Sequence, residues 1–260
     1  MDLPSPAWVS SWPEARPVSV WRLRLNALAD DPTDVLRPLT VASEHARARR
    51  YQFAADRHRH LAGRALVRLA LSRRYDCTPD TLSLTKGPHG KPRLQPSSGD
   101  RPPVHFNIGH TGPVVVAAVS QNQPVGIDVE PRTRSVDADA LAERILTAPE
   151  RSQWRSRPPS HRQAAFLHMW TCKEALLKAT GEGLQRAPES IECTFDGATV
   201  AALTDAPAYR PPCSSASAAP WTVQPFMAAE TVLGALVRKD AVPTPISWVD
   251  ATKLIMQSGG

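Results

Sequence analysis

The chain has 260 residues and a mass of 28.3 kDa, which fits one large domain or two smaller ones. Hydrophobic residues make up 42% and charged residues 22%, a composition that excludes global disorder and fibrous architecture, while 26 prolines predict short elements and irregular connections. The formal net charge is +6, and one part of the chain accounts for all of it.

The first predicted elements are a strand over residues 18–25 and a helical region over residues 44–74, which we call the basic segment. Ser43 is the predicted N-cap of this region. Nine arginines against two acidic residues give the basic segment a charge of +7 and leave −1 for the rest of the chain. Its arginines are Arg47, Arg49, Arg50, Arg57, Arg59, Arg64, Arg68, Arg73 and Arg74. Such a segment attracts nucleic acid, a phosphorylated ligand or an acidic protein, unless it is only a solvated helix face.

Further along the chain, the hydrophobic pattern predicts more strands and two more helices. The predicted strands cover residues 82–84, 105–108, 114–119, 125–130, 191–195, 199–203, 221–224 and 231–238. The predicted helices cover residues 137–146 and 160–180, and the composition of residues 205–220 predicts an exposed loop. Because strand, helices and strands occur twice in this order, we expect an α+β protein of two similar halves, residues 1–122 and 123–260. Each half would have a small antiparallel sheet and a long helix.

The sequence also indicates the compartment. No apolar run approaches the roughly 18 residues of a membrane span, and the amino-terminal residues lack the pattern of a secretion signal. The cysteines include no CxxC pair and lie at Cys77, Cys172, Cys193 and Cys213. We therefore expect a soluble cytoplasmic protein with free thiols and no zinc ribbon.

Residues 125–130, VGIDVE, are the most informative for function. Small or apolar residues alternate with acidic ones, so a strand would place Asp128 and Glu130 on the same face. Two carboxylates this close repel each other unless a cation or solvent lies between them. Because Mg²⁺ usually takes one or two carboxylates together with substrate phosphates, the segment indicates either a metal site or the exposed end of an edge strand.

A second segment, WTCKEALLK over residues 170–178, lies inside a predicted helix. Glu174 and Lys178 are four residues apart and share a helix face, where an ordinary surface ion pair contributes about 0.2–0.5 kcal/mol. An apolar stripe runs next to the pair, which places the pair at the rim of a buried surface. Lys173 adds a further cation beside it.

Two shorter segments place a histidine and a lysine where the backbone allows a ligand to approach. His110 lies between Gly109 and Gly112 in HFNIGHTG, residues 105–112. Lys91 lies in the turn Gly90-Lys91-Pro92 between two predicted strands. Taken alone, each of these residues is also explained by a structural role.

Taken in order, the four segments resemble the Sfp-type 4′-phosphopantetheinyl transferases, the enzymes that activate acyl and peptidyl carrier proteins. The family pattern is a GKP turn, an FNxSH strand, a (V/I)G(I/V)DxE strand and, later, a WxxKExxxK helix. The chain has GKP at 90–92, FNIGH at 106–110, and the two longer motifs described above. The 46 residues between Asp128 and Glu174 fall within the family's range. The resemblance covers about residues 40–185.

This resemblance implies a fold and a reaction. The fold has two similar α+β halves related by a pseudo-twofold axis, with coenzyme A between them. The reaction transfers the 4′-phosphopantetheine group of coenzyme A to a serine of an apo acyl or peptidyl carrier protein and releases adenosine 3′,5′-bisphosphate. The implied partners are acidic carrier proteins, without nucleic acid or membrane, and the implied state is a monomer.

The resemblance also implies roles for individual residues. Asp128, Glu130 and Glu174 correspond to ligands of Mg²⁺, for which Mn²⁺ can substitute. Glu174 also corresponds to the general base for the serine hydroxyl, and Lys178 to the cation that neutralises phosphate charge; with Asp128 they form the catalytic set. The implied contacts with coenzyme A are Arg47, Arg64, Lys86, Lys91, His110 and Lys178.

One departure from the family pattern, one variable family position and two alternatives remain. Gly109 stands where the family usually has a nucleotide-contacting serine, and the family varies at the position of Glu130. The alternatives are a nucleic-acid-binding protein or a metal-dependent nuclease that uses the basic segment. Aromatic residues are only 6% and do not interleave with the arginines, whereas nuclease sites usually place Glu and Lys two apart on a strand. An inactive homologue is disfavoured because Asp128, Glu174 and Lys178 are all present.

Overall fold

The computed structural model describes residues 17–87, 90–95, 103–183, 186–192, 221–239 and 246–257. By its internal contacts the chain divides into two units. The N-terminal unit contains the described residues up to Gln123 together with 246–257, and the C-terminal unit contains those from Pro124 to Lys239.

Nine strands and seven helices are found in the described part of the chain. The strands are β1 (Val18–Arg24), β2 (Leu84–Lys86), β3 (Pro92–Leu94), β4 (Val104–Thr111), β5 (Val114–Gln121), β6 (Val125–Pro131), β7 (Trp221–Ala229), β8 (Val232–Lys239) and β9 (Ile246–Asp250). The helices are α1 (Thr33–Leu36), α2 (Ala42–Ala48), α3 (Ala54–Tyr75), α4 (Ala138–Ile145), α5 (Ala148–Arg155), α6 (Pro159–Thr180) and α7 (Ala251–Gln257). Single 3₁₀ turns occur at Leu25–Ala27, Arg37–Leu39, Pro79–Thr81 and Pro188–Ser190.

The N-terminal unit packs α3 against a four-stranded sheet of order β4-β5-β1-β9. Neighbouring strands are antiparallel except β1 and β9, which are parallel. The apolar stripe of α3, with Leu61 and Leu66 among its buried residues, contributes to one core with Phe106 and Val115 of the sheet. The basic segment is thus helical, as the sequence predicts, and its apolar side forms the core of this unit.

The start of α2 differs from the prediction. The helix begins at Ala42 and its N-cap is Val41, so Ser43 lies in the first turn instead of capping it. The Glu44 carboxylate accepts a hydrogen bond from the Val41 amide at 3.1 Å. The side chain of Glu44 therefore satisfies the backbone at this helix start, and the predicted Ser43 cap is wrong.

The C-terminal unit packs α6 against a three-stranded antiparallel sheet of order β6-β8-β7. Helix α6 begins at Pro159, since proline suits the first helical position, and ends before Gly181, whose φ of 78° favours glycine. Trp154 and Phe166 are fully buried in the core of this unit.

The α+β class predicted from the sequence is confirmed, and each unit combines a small sheet with a 22-residue helix. The predicted division at residues 122 and 123 is close to the observed one before Pro124. The last described residues differ from the prediction, which placed them in the second half. Strand β9 pairs with β1, with Val18 opposite Ile246, so residues 246–257 belong to the N-terminal unit. A parallel pair between strands at opposite ends of the chain has no local signal in the sequence.

Several other expectations concern particular residues. Residues 191 and 192 are not in a strand, and the rest of the predicted strands 191–195 and 199–203 and the loop 205–220 lie outside the described residues. Cys77 and Cys172 are free thiols as predicted, while Cys193 and Cys213 also lie outside. None of the helices in the described ranges has the length and apolar character needed to cross a membrane.

Candidate active site

Three carboxylates and one lysine come together in the C-terminal unit because α6 lies directly on β6. Gly126 makes this approach possible, since a Cβ on this residue would overlap the backbone of Ala175 and come within 2.9 Å of Ala179 Cα. Without a side chain at Gly126, the helix packs against the strand backbone. No role was predicted for Gly126, although a glycine between buried strand residues signals a close backbone approach.

Asp128 and Lys178 form an ion pair between the strand and the helix. Lys178 Nζ lies 2.7 Å from Asp128 Oδ1, and the two side chains are 29% and 10% exposed. The second oxygen, Asp128 Oδ2, is buried and accepts no hydrogen bond. Because a buried carboxylate oxygen without a partner is costly, this atom is a candidate metal or ligand contact.

Glu130 lies on the same strand, two residues after Asp128, and is half-buried. Its Oε1 accepts hydrogen bonds from Trp170 Nε1 at 3.2 Å and from Arg134 Nη1 at 2.5 Å. Burial is the main cause that raises the pKa of Glu130; the charge of Asp128 adds to it, whereas Arg134 opposes it. Arg134 and Trp170 are thus two site neighbours that sequence reasoning did not identify.

Glu174 completes the group from the α6 side. Burial raises the pKa of its carboxyl first, the negative charges of Asp128 and Glu130 raise it further, and Lys178 lowers it in part. Since Asp128 raises the pKa of both glutamates and Glu130 also raises that of Glu174, the three share one electrostatic environment. The strand face and the helix face predicted from the sequence therefore come together in this group, which we call the carboxylate cluster.

The carboxylate cluster offers a partial site for a divalent cation. Within the described ranges, no three histidine, cysteine, aspartate or glutamate side chains are placed so that they would hold a metal ion by themselves. Hard cations such as Mg²⁺ prefer oxygen ligands and usually complete their coordination with water and substrate phosphates. Asp128 Oδ2 has no hydrogen-bond partner, and burial together with neighbouring negative charge raises the pKa values of Glu130 and Glu174, so a divalent cation would neutralise the repulsion within the group. The residues therefore fit Mg²⁺ together with a phosphorylated substrate.

Lys173 is adjacent in sequence to this cluster but has a different role. Its ammonium is fully buried, 2.7 Å from Glu150 Oε2, and donates hydrogen bonds to the carbonyls of Pro188 and Ile191. It therefore ties α6 to α5 and to the turn at Pro188–Ser190. The interpretation of Lys173 as a further cation beside Glu174 is corrected to that of a structural residue.

In the N-terminal unit, four of the predicted coenzyme A contacts lie around one histidine that sequence reasoning missed. Burial, together with the smaller effects of Arg64, Arg47, Lys86 and His110, lowers the pKa of His60 to about 4. The buried Nε2 of His60 has no hydrogen-bond partner. The sequence signal that could have identified His60 was its spacing from Arg64, four residues later on α3. We call these five residues the cation cluster.

The members of the cation cluster come from separate elements. Arg64 is 12% exposed and lies 4.0 Å from Glu44; burial is the main cause that lowers its pKa. Arg47 at the end of α2, Lys86 at the end of β2 and His110 near the end of β4 are exposed. Two arginines, a lysine and a second histidine around an unpaired imidazole nitrogen form a site suited to a phosphate.

Lys91 and Gly109 are close in sequence to Lys86 and His110 but are not members of the cation cluster. Lys91 is half-buried next to β3, and burial lowers its pKa to about 8. Gly109 is buried in β4 opposite Val116.

The remaining arginines of the basic segment do not form one open surface. Arg68 is 3% exposed, pairs with Glu44 at 3.0 Å and donates to the carbonyls of Pro79 and Leu82. Arg59 pairs with Asp56 at 2.7 Å, and Arg57 donates to the carbonyls of Tyr51 and Gln52. Much of the +7 charge is therefore taken up by ion pairs and hydrogen bonds within the N-terminal unit. This weakens the nucleic-acid alternative.

Comparison with known proteins shows which family the chain is similar to. Residues 124–229 match the model of the 4′-phosphopantetheinyl transferase superfamily, and residues 33–122 match that of the 4′-phosphopantetheinyl transferase N-terminal region. The chain is 34% identical over 198 residues to the 4′-phosphopantetheinyl transferase HetI of Nostoc sp., covering 74% of this chain and 80% of HetI. It is 33% identical over 180 residues to psf-1 of Bacillus pumilus, covering 68% and 73%. It is 32% identical over 145 residues to Sfp of Bacillus subtilis, covering 56% and 62%.

Proposed function

Because the chain belongs to the 4′-phosphopantetheinyl transferase superfamily, we propose that it transfers the 4′-phosphopantetheine group of coenzyme A to a serine of an apo acyl or peptidyl carrier protein. The second product is adenosine 3′,5′-bisphosphate. The observation that carries the proposal is the carboxylate cluster with its lysine. No feature of the structure favours the nuclease alternative.

Mg²⁺, or Mn²⁺ in its place, would be held by Asp128, Glu174 and Glu130 together with phosphate oxygens of coenzyme A. When bound, the cation neutralises pyrophosphate charge and makes the phosphorus more electrophilic. Asp128 suits the role of ligand because its Oδ2 is buried and unpaired. Glu130 is less free to act, since Arg134 and Trp170 already contact its Oε1.

Glu174 is proposed as the general base. Its raised pKa makes the carboxylate a better proton acceptor than an exposed glutamate, because catalytic bases work best with a pKa closer to the working pH. It takes the proton of the carrier serine hydroxyl. The serine oxygen then forms a bond to the phosphorus that carries the pantetheine arm, and the bond from that phosphorus to the bridging oxygen breaks.

Lys178 is proposed to stabilise the charge that moves onto the leaving phosphate. The Lys178 side chain is 29% exposed, and its ammonium already lies beside Asp128. The ammonium is therefore held in position before substrate arrives. A preorganised cation of this kind lowers the barrier because it does not have to reorient during the reaction.

The cation cluster is proposed to bind the 3′-phosphate side of coenzyme A. Arg47, Arg64 and Lys86 supply charge, His110 adds a hydrogen-bonding group, and His60 supplies a buried nitrogen without a partner. Lys91 is proposed to contact the phosphates as well. Charge-assisted hydrogen bonds to phosphate are among the strongest that side chains make.

We also propose that the carrier proteins are acidic, that the enzyme works as a monomer and that it works in the cytoplasm, where coenzyme A and carrier proteins meet.

The proposed transfer is tested by incubating the protein with Mg²⁺, coenzyme A and an apo carrier protein. Intact-mass measurement should show a gain of one phosphopantetheine group. An unchanged carrier mass across a panel of acyl and peptidyl carrier proteins contradicts the proposed function.

A further inference from the structure

The turn between α2 and α3 exposes aromatic side chains that the proposed chemistry does not use. In the described part of the chain, the large hydrophobic residues that are exposed are Tyr51 at 36%, Phe53 at 63% and Met256 at 52%. Two of these three lie in the same short turn. Single exposed apolar residues are ordinary, but two in one turn among arginines are a feature of protein interfaces.

Phe53 also occupies a position at which phenylalanine does not favour the start of a helix. It is the N-cap of α3, and its side chain makes no capping hydrogen bond. Serine, threonine, aspartate and asparagine are preferred at an N-cap because they accept a hydrogen bond from the helix start. An exposed phenylalanine at this position gives up that hydrogen bond and buries little surface. Residues that break a local rule without a gain in packing commonly serve function.

The turn is held in a defined conformation. Arg57 Nη1 donates hydrogen bonds to the carbonyls of Tyr51 and Gln52 at 3.1 and 3.2 Å. The Tyr51 amide donates to the Ala48 carbonyl at 3.0 Å, and the Tyr51 ring lies 5.4 Å from the His60 ring. Phe53 is therefore presented on a fixed backbone, and a partner that buries it loses little conformational entropy from this side.

The charge around the turn indicates the kind of partner. Arg49 and Arg50 directly precede the turn, are exposed, and make no ion pair within the residues described. By contrast, Arg59 and Arg68 of the same segment have acidic partners. Aromatic residues and arginines dominate the binding energy of protein interfaces, and unpaired surface arginines favour an acidic partner.

A hollow beside the turn offers room for a side chain of the partner. Ala55, two residues after Phe53, lines a cavity of about 360 Å³ together with Leu25, Leu28 and Pro113. Its polar side is formed by Asn26, Asp30, His58 and Arg59. An exposed ring next to a partly apolar hollow is the kind of surface relief that a small helical protein can match.

We propose that Arg49, Arg50, Tyr51 and Phe53, with the adjacent hollow, form the docking surface for the acidic carrier protein. Phe53 becomes buried against the apolar side of the carrier, and the two arginines pair with its carboxylates. This inference rests on the proposed function, because it names the surface that recognises the second substrate. It assigns no role to the turn in binding coenzyme A.

The test uses two substitutions that keep the helix start intact. Phe53→Asn and Phe53→Asp both remove the ring and both supply a favourable N-cap, so neither should lower the melting temperature. Phe53→Asn should raise the Michaelis constant for the carrier protein about tenfold, the scale expected when a central aromatic contact is lost. Turnover at saturating carrier and the Michaelis constant for coenzyme A should stay unchanged.

Phe53→Asp adds a negative charge at the same place. With an acidic partner it should raise the carrier Michaelis constant beyond the value of Phe53→Asn, and the additional loss should shrink at high salt because charge repulsion is screened. Met256→Asn is the matched control, since it removes another exposed apolar side chain of the same unit and should leave both Michaelis constants unchanged.

The outcomes separate this inference from the proposed function. If the wild-type protein modifies the carrier but Phe53→Asn keeps the wild-type Michaelis constant, the docking surface is wrong and the function stands. An equal effect of Phe53→Asn and Phe53→Asp would contradict an acidic partner at this surface. If the wild-type protein modifies no carrier, the proposed function itself fails. A Phe53→Asn variant that instead loses affinity for a mixed-sequence RNA, with carrier kinetics intact, would assign the turn to nucleic acid and overturn the inference.

Discussion

Lys178 Nζ lies 2.7 Å from Asp128 Oδ1, so the lysine of the α6 motif pairs with a carboxylate of strand β6. The pair occupies one oxygen of Asp128 and leaves the other, which is buried, without a hydrogen bond. Strand and helix motifs that are 50 residues apart in the chain thus form one site. The functional account depends on this arrangement.

The first prediction concerns the unpaired oxygen of Asp128. Asp128→Asn keeps the shape of the side chain but removes its charge, so transfer should fall by about 10²–10³-fold, the usual loss when one preorganised charge contact is removed. Steady-state transfer to a carrier protein measures the effect. Asp139→Asn, at an exposed position of α4, is the control and should behave as wild type. Near-wild-type turnover of Asp128→Asn at saturating Mg²⁺ would exclude Asp128 as a ligand.

The second prediction follows from the raised pKa of Glu174. The folded state holds the proton of this carboxyl more tightly than the unfolded chain does, so stability is lost as pH rises through the window above the ordinary value of 4.5. Glu174→Gln removes that penalty. In the presence of a chelator at neutral pH, the variant should therefore melt at a higher temperature than wild type while losing transfer activity. Mg²⁺ should raise the melting temperature of wild type more than that of the variant. A lower melting temperature for Glu174→Gln under chelation would contradict the repulsion within the carboxylate cluster.

The third prediction concerns the contact between α6 and β6. Gly126→Ala would place a Cβ against the Ala175 and Ala179 backbone, which cannot move away as a side chain can. The free energy of unfolding should fall by at least about 3 kcal/mol, the upper part of the usual range for overpacking. Urea denaturation gives the value. Gly87→Ala is the comparison, since its Cβ would meet only Lys91 O at 3.2 Å, and it should cost much less. Equal losses for both variants would show that the close approach is not what Gly126 provides.

The fourth prediction uses the low pKa of His60, about 4 against an ordinary 6.5. As pH falls through this window, the unfolded chain takes up a proton that the folded protein does not, so stability decreases. A phosphate bound beside His60 would raise its pKa. The rise in melting temperature caused by coenzyme A should therefore be larger at about pH 5.5 than at about pH 7.5. His60→Gln should lose this difference, whereas His45→Gln, whose histidine lies outside the cation cluster, should keep it. A His60→Gln variant that keeps the full difference would remove His60 from the phosphate site.

The sequence predicted the parts of the site that lie within single elements. Alternation along β6 placed Asp128 and Glu130 on one face, and helical spacing placed Glu174 and Lys178 together. Which partner each side chain takes depends on how α6 packs on β6, and no local pattern encodes that. The same reason applies to Lys173, whose buried partner Glu150 comes from another helix. The pairing of β9 with β1 was missed because it joins residues more than 220 positions apart.

The basic segment shows the same limit. The prediction that this segment is basic and largely helical was correct. Composition alone, however, does not distinguish Arg68, which is buried against Glu44, from Arg49, which is exposed. His60 was overlooked because a histidine in a helix has many structural explanations. Only its position among Arg47, Arg64, Lys86 and His110, with an unpaired nitrogen, indicates a role in binding.

The most direct measurement is the intact mass of an apo carrier protein after incubation with coenzyme A and Mg²⁺. It compares wild type, wild type with excess chelator, and Glu174→Gln. The account predicts that the wild type adds one phosphopantetheine group per carrier and forms one adenosine 3′,5′-bisphosphate, and that both products fall to trace levels in the other two reactions. Full modification by Glu174→Gln, or by wild type under chelation, would contradict the central claim that the carboxylate cluster and a divalent cation carry out the transfer.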